Sequence, residues 1–117
     1  MPDARGMVYY IKEKFHAGFC ADLSQAESEF MYSSQGAFAG KAFATPLTQA
    51  AWRTKPSWGI VATEDKSIHP EVEEKMYMRS NTKFVKIKGS HAVYISQPQA
   101  VANVIIEAAE GASKTTN

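Results

Sequence analysis

Asp65 and His91 are the pair of side chains in this 117-residue sequence best placed to do chemistry together. Each comes shortly after an apolar strand-like run, residues 57–62 and Lys83–Ile87, and one helical pattern separates the two runs. A carboxylate that orients an imidazole, and an imidazole that moves a proton near neutral pH, form the acid and base of nucleophilic catalysis. The nucleophile itself is missing. No Ser, Cys or Asp in the sequence sits in a Gly-x-Ser-x-Gly elbow, the strand–turn–helix corner that exposes a reactive side chain.

Cys20 lies in apolar company, where cysteine behaves as a small hydrophobe. Ser90 adjoins His91, but neighbouring side chains point apart, and neither Cys20 nor Ser90 is followed by an elbow. Glu64 is the alternative acid and reads as a solvated neighbour. His69 precedes Pro70 in a loop and His16 lies in an unpatterned stretch; no second ligand at metal spacing accompanies any of the three histidines, so no metal and no cofactor is expected. On residue type alone, Asp65 equally reads as a turn former or cap for the helix at Pro70, and His91 as a surface loop residue.

The elements that must position these groups are legible in outline. Residues 7–11 form an apolar-aromatic run expected as a strand or hairpin arm, followed by a connector over 12–21. Ser24 and Glu27 have capping-box spacing, and the helix they open is expected to run to about Gln35 with Leu23, Ala26 and Phe30 along its apolar stripe. Pro46 is expected to start a short helix ending near Trp52. Residues 57–62 lack polar alternation, as a buried strand does. Pro70 at a first-turn position, with Glu71, Glu73 and Glu74 at the positive end, opens the next helix, and Lys83–Ile87 alternates as a second strand. Gly89 and Ser90 turn the chain into His91. Ser96 reads as an N-cap before Pro98, and Val101, Val104, Ile105 and Ala108 give the last helix its apolar face; from Gly111 the tail is polar and expected to fray. The order strand–loop–helix–strand–loop–helix is that of a parallel α/β sheet, whose functional residues gather beyond the carboxyl ends of the strands. Three segments follow: 1–54 with a strand and a helical region, 55–110 with the α/β unit, and 111–117 as a disordered tail.

Composition narrows the function classes. A net charge of +1 with acids and bases interspersed leaves no footprint for nucleic acid. No apolar run approaches the roughly 18–20 residues that span a membrane. The first six residues lack the apolar core of a secretory signal, and the single cysteine excludes an intrachain disulfide, so a cytoplasmic location is the expectation.

Val61-Ala-Thr-Glu-Asp65-Lys-Ser-Ile-His-Pro70, Lys88-Gly-Ser-His91 and Ser96-Gln-Pro98 together resemble the C-terminal end of an α/β-hydrolase. The nearest likeness is to the cofactor-independent esterase, haloperoxidase-like and hydroxynitrile lyase branches. The stretch from about Phe15 to Trp52 is similar to the cap of such enzymes, including Ala-Asp-Leu-Ser at residues 21–24. The resemblance implies a partial α/β-hydrolase fold, a C-terminal parallel β-α-β-α unit preceded by a helical cap segment, with Asp65 as the acid and His91 as the base of a Ser-His-Asp triad. Phe38, Phe43 and Trp52 are candidates for an apolar substrate wall, although aromatics of this kind also simply pack. The first six or so strands, the elbow and the oxyanion loop of that family are absent from this sequence, which implies a truncated or split hydrolase, inactive alone, whose substrate when complete would be a small ester-like molecule. The alternative is a non-catalytic oligomeric binding or assembly module. Either way the strand at 57–62 would have an open apolar edge, so a homo-oligomer, most simply a dimer, or a complementing N-terminal hydrolase half is the expected partner.

Overall fold

In the computed structural model, which describes residues 2–113, two adjacent parallel strands carry the architecture. Strand β3 (Trp58–Ala62) pairs with β4 (Lys83–Ile87) in a register that matches Trp58 with Lys83 and Ala62 with Ile87. Helix α3 (Pro70–Arg79) connects them, and α5 (Pro98–Ser113) packs back on β3. Ahead of this unit come β1 (Met7–Val8), α1 (Lys12–Phe19), α2 (Gln25–Ser34) and β2 (Phe38–Ala39), with β1 and β2 forming a two-residue antiparallel pair. One-turn 3-10 segments at Gly40–Ala44 and Ala51–Arg53 lead into β3, and the short α4 (Val93–Ser96) follows the His91 loop.

Glycine sets how closely helices approach β3. A Cβ on Gly59 would lie 2.6 Å from the Tyr77 ring of α3, so bare backbone lets that ring lie flat on the strand. On the same face, Val61 is fully buried. On the opposite face, the Trp58 ring occupies the space a side chain at Gly111 of α5 would need, at 2.5 Å. Helix α5 therefore continues past Gly111 to Ser113, where the sequence suggested a frayed tail; residues 114–117 lie outside the described residues.

Other local expectations give way to tertiary packing. The strand expected over 7–11 shortens to Met7–Val8, and the supposed connector is helix α1, whose Phe15 anchors an aromatic cluster with Tyr10, Phe19 and Tyr32. The capping box at Ser24 and Glu27 is present, but α2 turns Ser28, not Phe30, inward: Ser28 is buried against Cys20 while Phe30 is 74% exposed. No helix forms from Pro46 over residues 45–50. Ser96 does not cap α5; it ends α4 and its hydroxyl is bound elsewhere.

The buried core is small for the length. Among the described residues the buried side chains gather in two places, Phe15, Cys20, Ser28 and Ala92 where the helical segment meets the loop after β4, and Val61, Ala62, Asp65, Ser90 and Val93 around the strand ends. The radius of gyration is 16.2 Å, against about 13 Å for a compact domain of this length. Along β3 an open groove runs between Tyr77 and the α5 residues Val101, Val104 and Ile105, and Ile105 is 63% exposed.

Gly59→Ala is expected to destabilise the protein by about 1–3 kcal/mol through overpacking against Tyr77. Urea unfolding of Gly59→Ala, Tyr77→Leu and the double variant checks this: the two costs should be clearly less than additive, because the double variant relieves the overlap.

Candidate active site

The strand register determines which side chains meet. Beyond the last matched pair, the Thr63 amide donates to the Ile87 carbonyl at 2.9 Å and the Glu64 amide to the Gly89 carbonyl at 3.0 Å, so the two post-strand loops leave the sheet together. The loop after β3 then turns back, with the Asp65 amide on the Ala62 carbonyl. This places Asp65 and His91, 26 residues apart in sequence, in direct contact: His91 Nδ1 lies 2.6 Å from Asp65 Oδ2.

Asp65 is held from both sides. Its other oxygen, Oδ1, accepts the backbone amides of Ser67 at 2.7 Å and Ile68 at 3.0 Å, and the side chain is 1% exposed. Opposite a carboxylate oxygen, Nδ1 is the ring nitrogen suited to donate, which in the neutral ring makes Nε2 the acceptor. The imidazole is supported by the ring of Phe19, 4.7 Å away between centroids. The arrangement has the orienting and proton-accepting parts of a nucleophilic mechanism.

The loop that carries His91 is tied to the connector between α1 and α2. The Ala92 amide donates to the Phe19 carbonyl at 3.1 Å. Asp22 accepts the Ser90 amide at 3.0 Å, the Ser90 hydroxyl through a very short bond, and the Ser96 hydroxyl at 2.6 Å. Gly89 permits this approach, since a Cβ there would stand 3.0 Å from the Asp22 carboxylate. Burial pushes the Asp22 carboxyl upward, and the hydrogen bonds from Ser90 and Ser96 outweigh it, so the group lies below its ordinary range.

His91 opens onto an apolar hollow of 690 Å³. Phe38 and Phe43 line it together with Tyr10, Phe19, Met31 and Tyr94, and its volume is in the range of small-molecule sites. Phe38 and Phe43 also touch each other, with ring centroids 4.8 Å apart. Trp52 is not among the lining residues; it sits on the separate turn Ala51–Arg53 with its ring against the Arg53 guanidinium. A larger, more polar cleft of 880 Å³ flanks Asp65, but His91 does not face it.

The other candidates from the sequence are engaged elsewhere. Glu64 is at the surface, 3.7 Å from Lys88 Nζ. His16 Nε2 bonds the Leu23 carbonyl at 2.9 Å, and His69 is the residue before α3. Cys20 is buried against Ser28, and the Ser90 hydroxyl is committed to Asp22. No group of three or more His, Cys, Asp or Glu among the described residues is placed to hold a metal ion. No described helix is long and apolar enough to cross a membrane.

Glu73 differs from Glu71 and Glu74, the other acids at the start of α3, in lying close enough to Asp65 and His91 to feel their charges. Its Oε2 is buried without a hydrogen-bond partner. Burial pushes its carboxyl up and the charge of Asp65 adds to that, while His91 and the Ala62 amide pull the other way. The available signal was spacing: Glu73 lies four residues before Tyr77, on the helix face that packs on β3, whereas Glu74 reaches Lys86 at 2.7 Å.

A family model described as the alpha/beta hydrolase family matches residues 2–104, and the chain belongs to that family. Neither the curated proteins nor the solved structures yielded a match.

The Glu73 and Asp22 carboxyls predict opposite pH dependences. A raised Glu73 pKa means that the folded state loses stability as pH climbs from the unfolded value through the folded one, so Glu73→Gln should gain on the parent protein as pH rises above the ordinary carboxyl value of about 4.3. A lowered Asp22 pKa contributes stability above the unfolded value of about 3.9 that is lost as pH falls, so Asp22→Asn should fall behind the parent over the rising acid limb. Thermal unfolding midpoints followed from acid pH, below the unfolded Asp value of about 3.9, up to neutral pH read both signs.

Proposed function

We propose that this chain supplies the acid and base of an ester or acyl hydrolase, with Asp65 and His91 in those roles. The observation that carries the reading is the 2.6 Å contact between Asp65 Oδ2 and His91 Nδ1, made where two parallel strands end and beside an apolar hollow. In such a reaction a nucleophile's hydroxyl proton passes to His91 Nε2 as its oxygen attacks the ester carbonyl. The imidazolium is stabilised by the Asp65 carboxylate and returns the proton to the departing alcohol; a water molecule repeats the cycle to release the acid. Phe38 and Phe43 form part of the wall against which an uncharged, apolar substituent of the ester rests. Trp52 has no part in that wall.

No residue of the sequence stands in a nucleophile elbow, and loss of a serine nucleophile costs about 10⁶ in turnover, on the order of 8 kcal/mol. The chain alone is therefore essentially inactive, and the nucleophile and oxyanion donors come from a polypeptide that seats against its open apolar surface, as a C-terminal hydrolase part paired with a complementing half. The extended shape and the unpaired edge of β3 favour a second reading, in which the chain is a non-catalytic oligomeric module that binds or assembles through the same surface.

Hydrolysis of p-nitrophenyl acetate by the parent chain and His91→Ala, with a serine-reactive phosphonate as label, tests the first reading. The expected result is no phosphonate adduct and a rate no greater than that of free imidazole; an adduct on this chain, with activity lost in His91→Ala, would show that it carries its own nucleophile. Light scattering at micromolar concentration tests the apolar surface: a dimer or larger assembly is expected, and a clean monomer would count against self-association.

A further inference from the structure

The proton-transfer reading rests on one imidazole being held in one orientation, yet His91 sits in a loop between β4 and α4. Its ring is fixed at Nδ1 by Asp65 and on one side by Phe19. The backbone on either side of it is fixed by something else. Ser90, immediately before it, gives both its amide and its hydroxyl to the same carboxylate, Asp22. Ser96, at the end of the helix after it, gives its hydroxyl to that carboxylate as well. Three donors from the two flanks of His91 thus converge on one charged acceptor that lies 68 and 74 residues earlier in the chain. Hydrogen bonds to an ionised acceptor are roughly twice as strong as neutral ones.

We infer that Asp22 is the positioning residue of His91: a carboxylate of the helical segment that clamps both flanks of the base-bearing loop, and so sets the tautomer and direction of the imidazole without touching substrate. The inference depends on His91 acting as the base. Three features support it beyond ordinary surface bonding. Ser90 is buried and uses its hydroxyl twice, donating to Asp22 and accepting the Ala92 amide at 3.1 Å. Gly89 leaves the room that the carboxylate enters. The adjoining Phe19 delivers two further contacts, its carbonyl to the Ala92 amide and its ring to the imidazole. The connector between α1 and α2 therefore works as a cradle for the loop, with Asp22 as its charged end. A shift of the flanks by a fraction of an ångström would loosen the Asp65–His91 bond, whose geometry allows little slack.

The test reads the imidazole directly and needs no turnover. In ¹⁵N spectra of the whole chain, with His91→Ala used for assignment, the His91 ring is expected in a single Nδ1–H tautomer with a low-field Nδ1 proton. Asp22→Asn, nearly isosteric but presenting an amide to the two hydroxyl donors, is expected to lose the low-field proton and to populate both tautomers. Amide protection in β3 and β4 should stay as in the parent. Ser90→Ala, which removes the hydroxyl donor while leaving the carboxylate and its bond from the residue 90 amide, should give a partial loss of the same kind, and Ser96→Ala a smaller one. Should Asp22→Asn fail to fold, Ser90→Ala carries the test. A folded Asp22→Asn or Ser90→Ala chain in which His91 keeps the parent tautomer and low-field proton overturns the clamp while leaving the acid–base reading intact. A parent ring already divided between tautomers overturns the acid–base reading, and the clamp with it.

Discussion

The parallel register of two strands is the constraint on which everything else in this protein depends. Because Ala62 stands opposite Ile87, the chain leaves both strands at the same height, and the amides of Thr63 and Glu64 hold the departing loops together for two further residues. Asp65 and His91 need only short excursions to meet. A slip of one residue would turn the inward side chains of β3 to the other face and offset the loops by about 3.3 Å, more than the Asp65–His91 contact can absorb. The same register explains the burial pattern: side chains are most completely enclosed at the carboxyl ends of the strands, where the two loops and the α1–α2 connector converge.

Much of this was readable in the sequence because it is local. The unbroken apolar run at 58–62, the alternation at 83–87, Pro70 opening a helix and Gly89 before His91 each report a short-range preference that packing preserves. The Ser24–Glu27 box survives for the same reason. What could not be read is non-local. Helix α1 has weak internal patterning, and its Phe15 is justified by Tyr10, Phe19 and Tyr32 rather than by its own turn. Ser96 has the sequence of a helix cap, yet a carboxylate 74 residues away recruits its hydroxyl. Phe30 occupies an apolar stripe position but stays largely exposed at the border of the hollow that His91 opens onto. At the site, the meeting of Asp65 with His91 follows from their place after two adjoining strands, which is local, whereas the placing of Phe38 and Phe43 along one hollow and of Trp52 apart beside Arg53 is set by tertiary packing.

Membership of the alpha/beta hydrolase family is consistent with the sparse core. Strand β3 has helices on both faces but only one strand neighbour, and its other edge borders an apolar groove. Apolar side chains that in a compact domain would turn inward, Phe43, Leu47 and Ile105 among them, face solvent here. Surface of this character is costly to leave in water.

The distance in sequence between Asp22 and the serines it binds has a consequence for how the protein is made. A ribosome releases the α1–α2 segment long before residues 90–96 exist, so the carboxylate waits in solvent for most of synthesis. The β3–α3–β4 unit closes a loop of only 26 residues, whereas the cradle must close one of about 70, at an extra entropic cost on the order of 1 kcal/mol. Strand pairing is therefore favoured to precede the seating of the cradle. A nascent chain can thus hold its sheet before the Ser90 loop is tied to the α1–α2 connector.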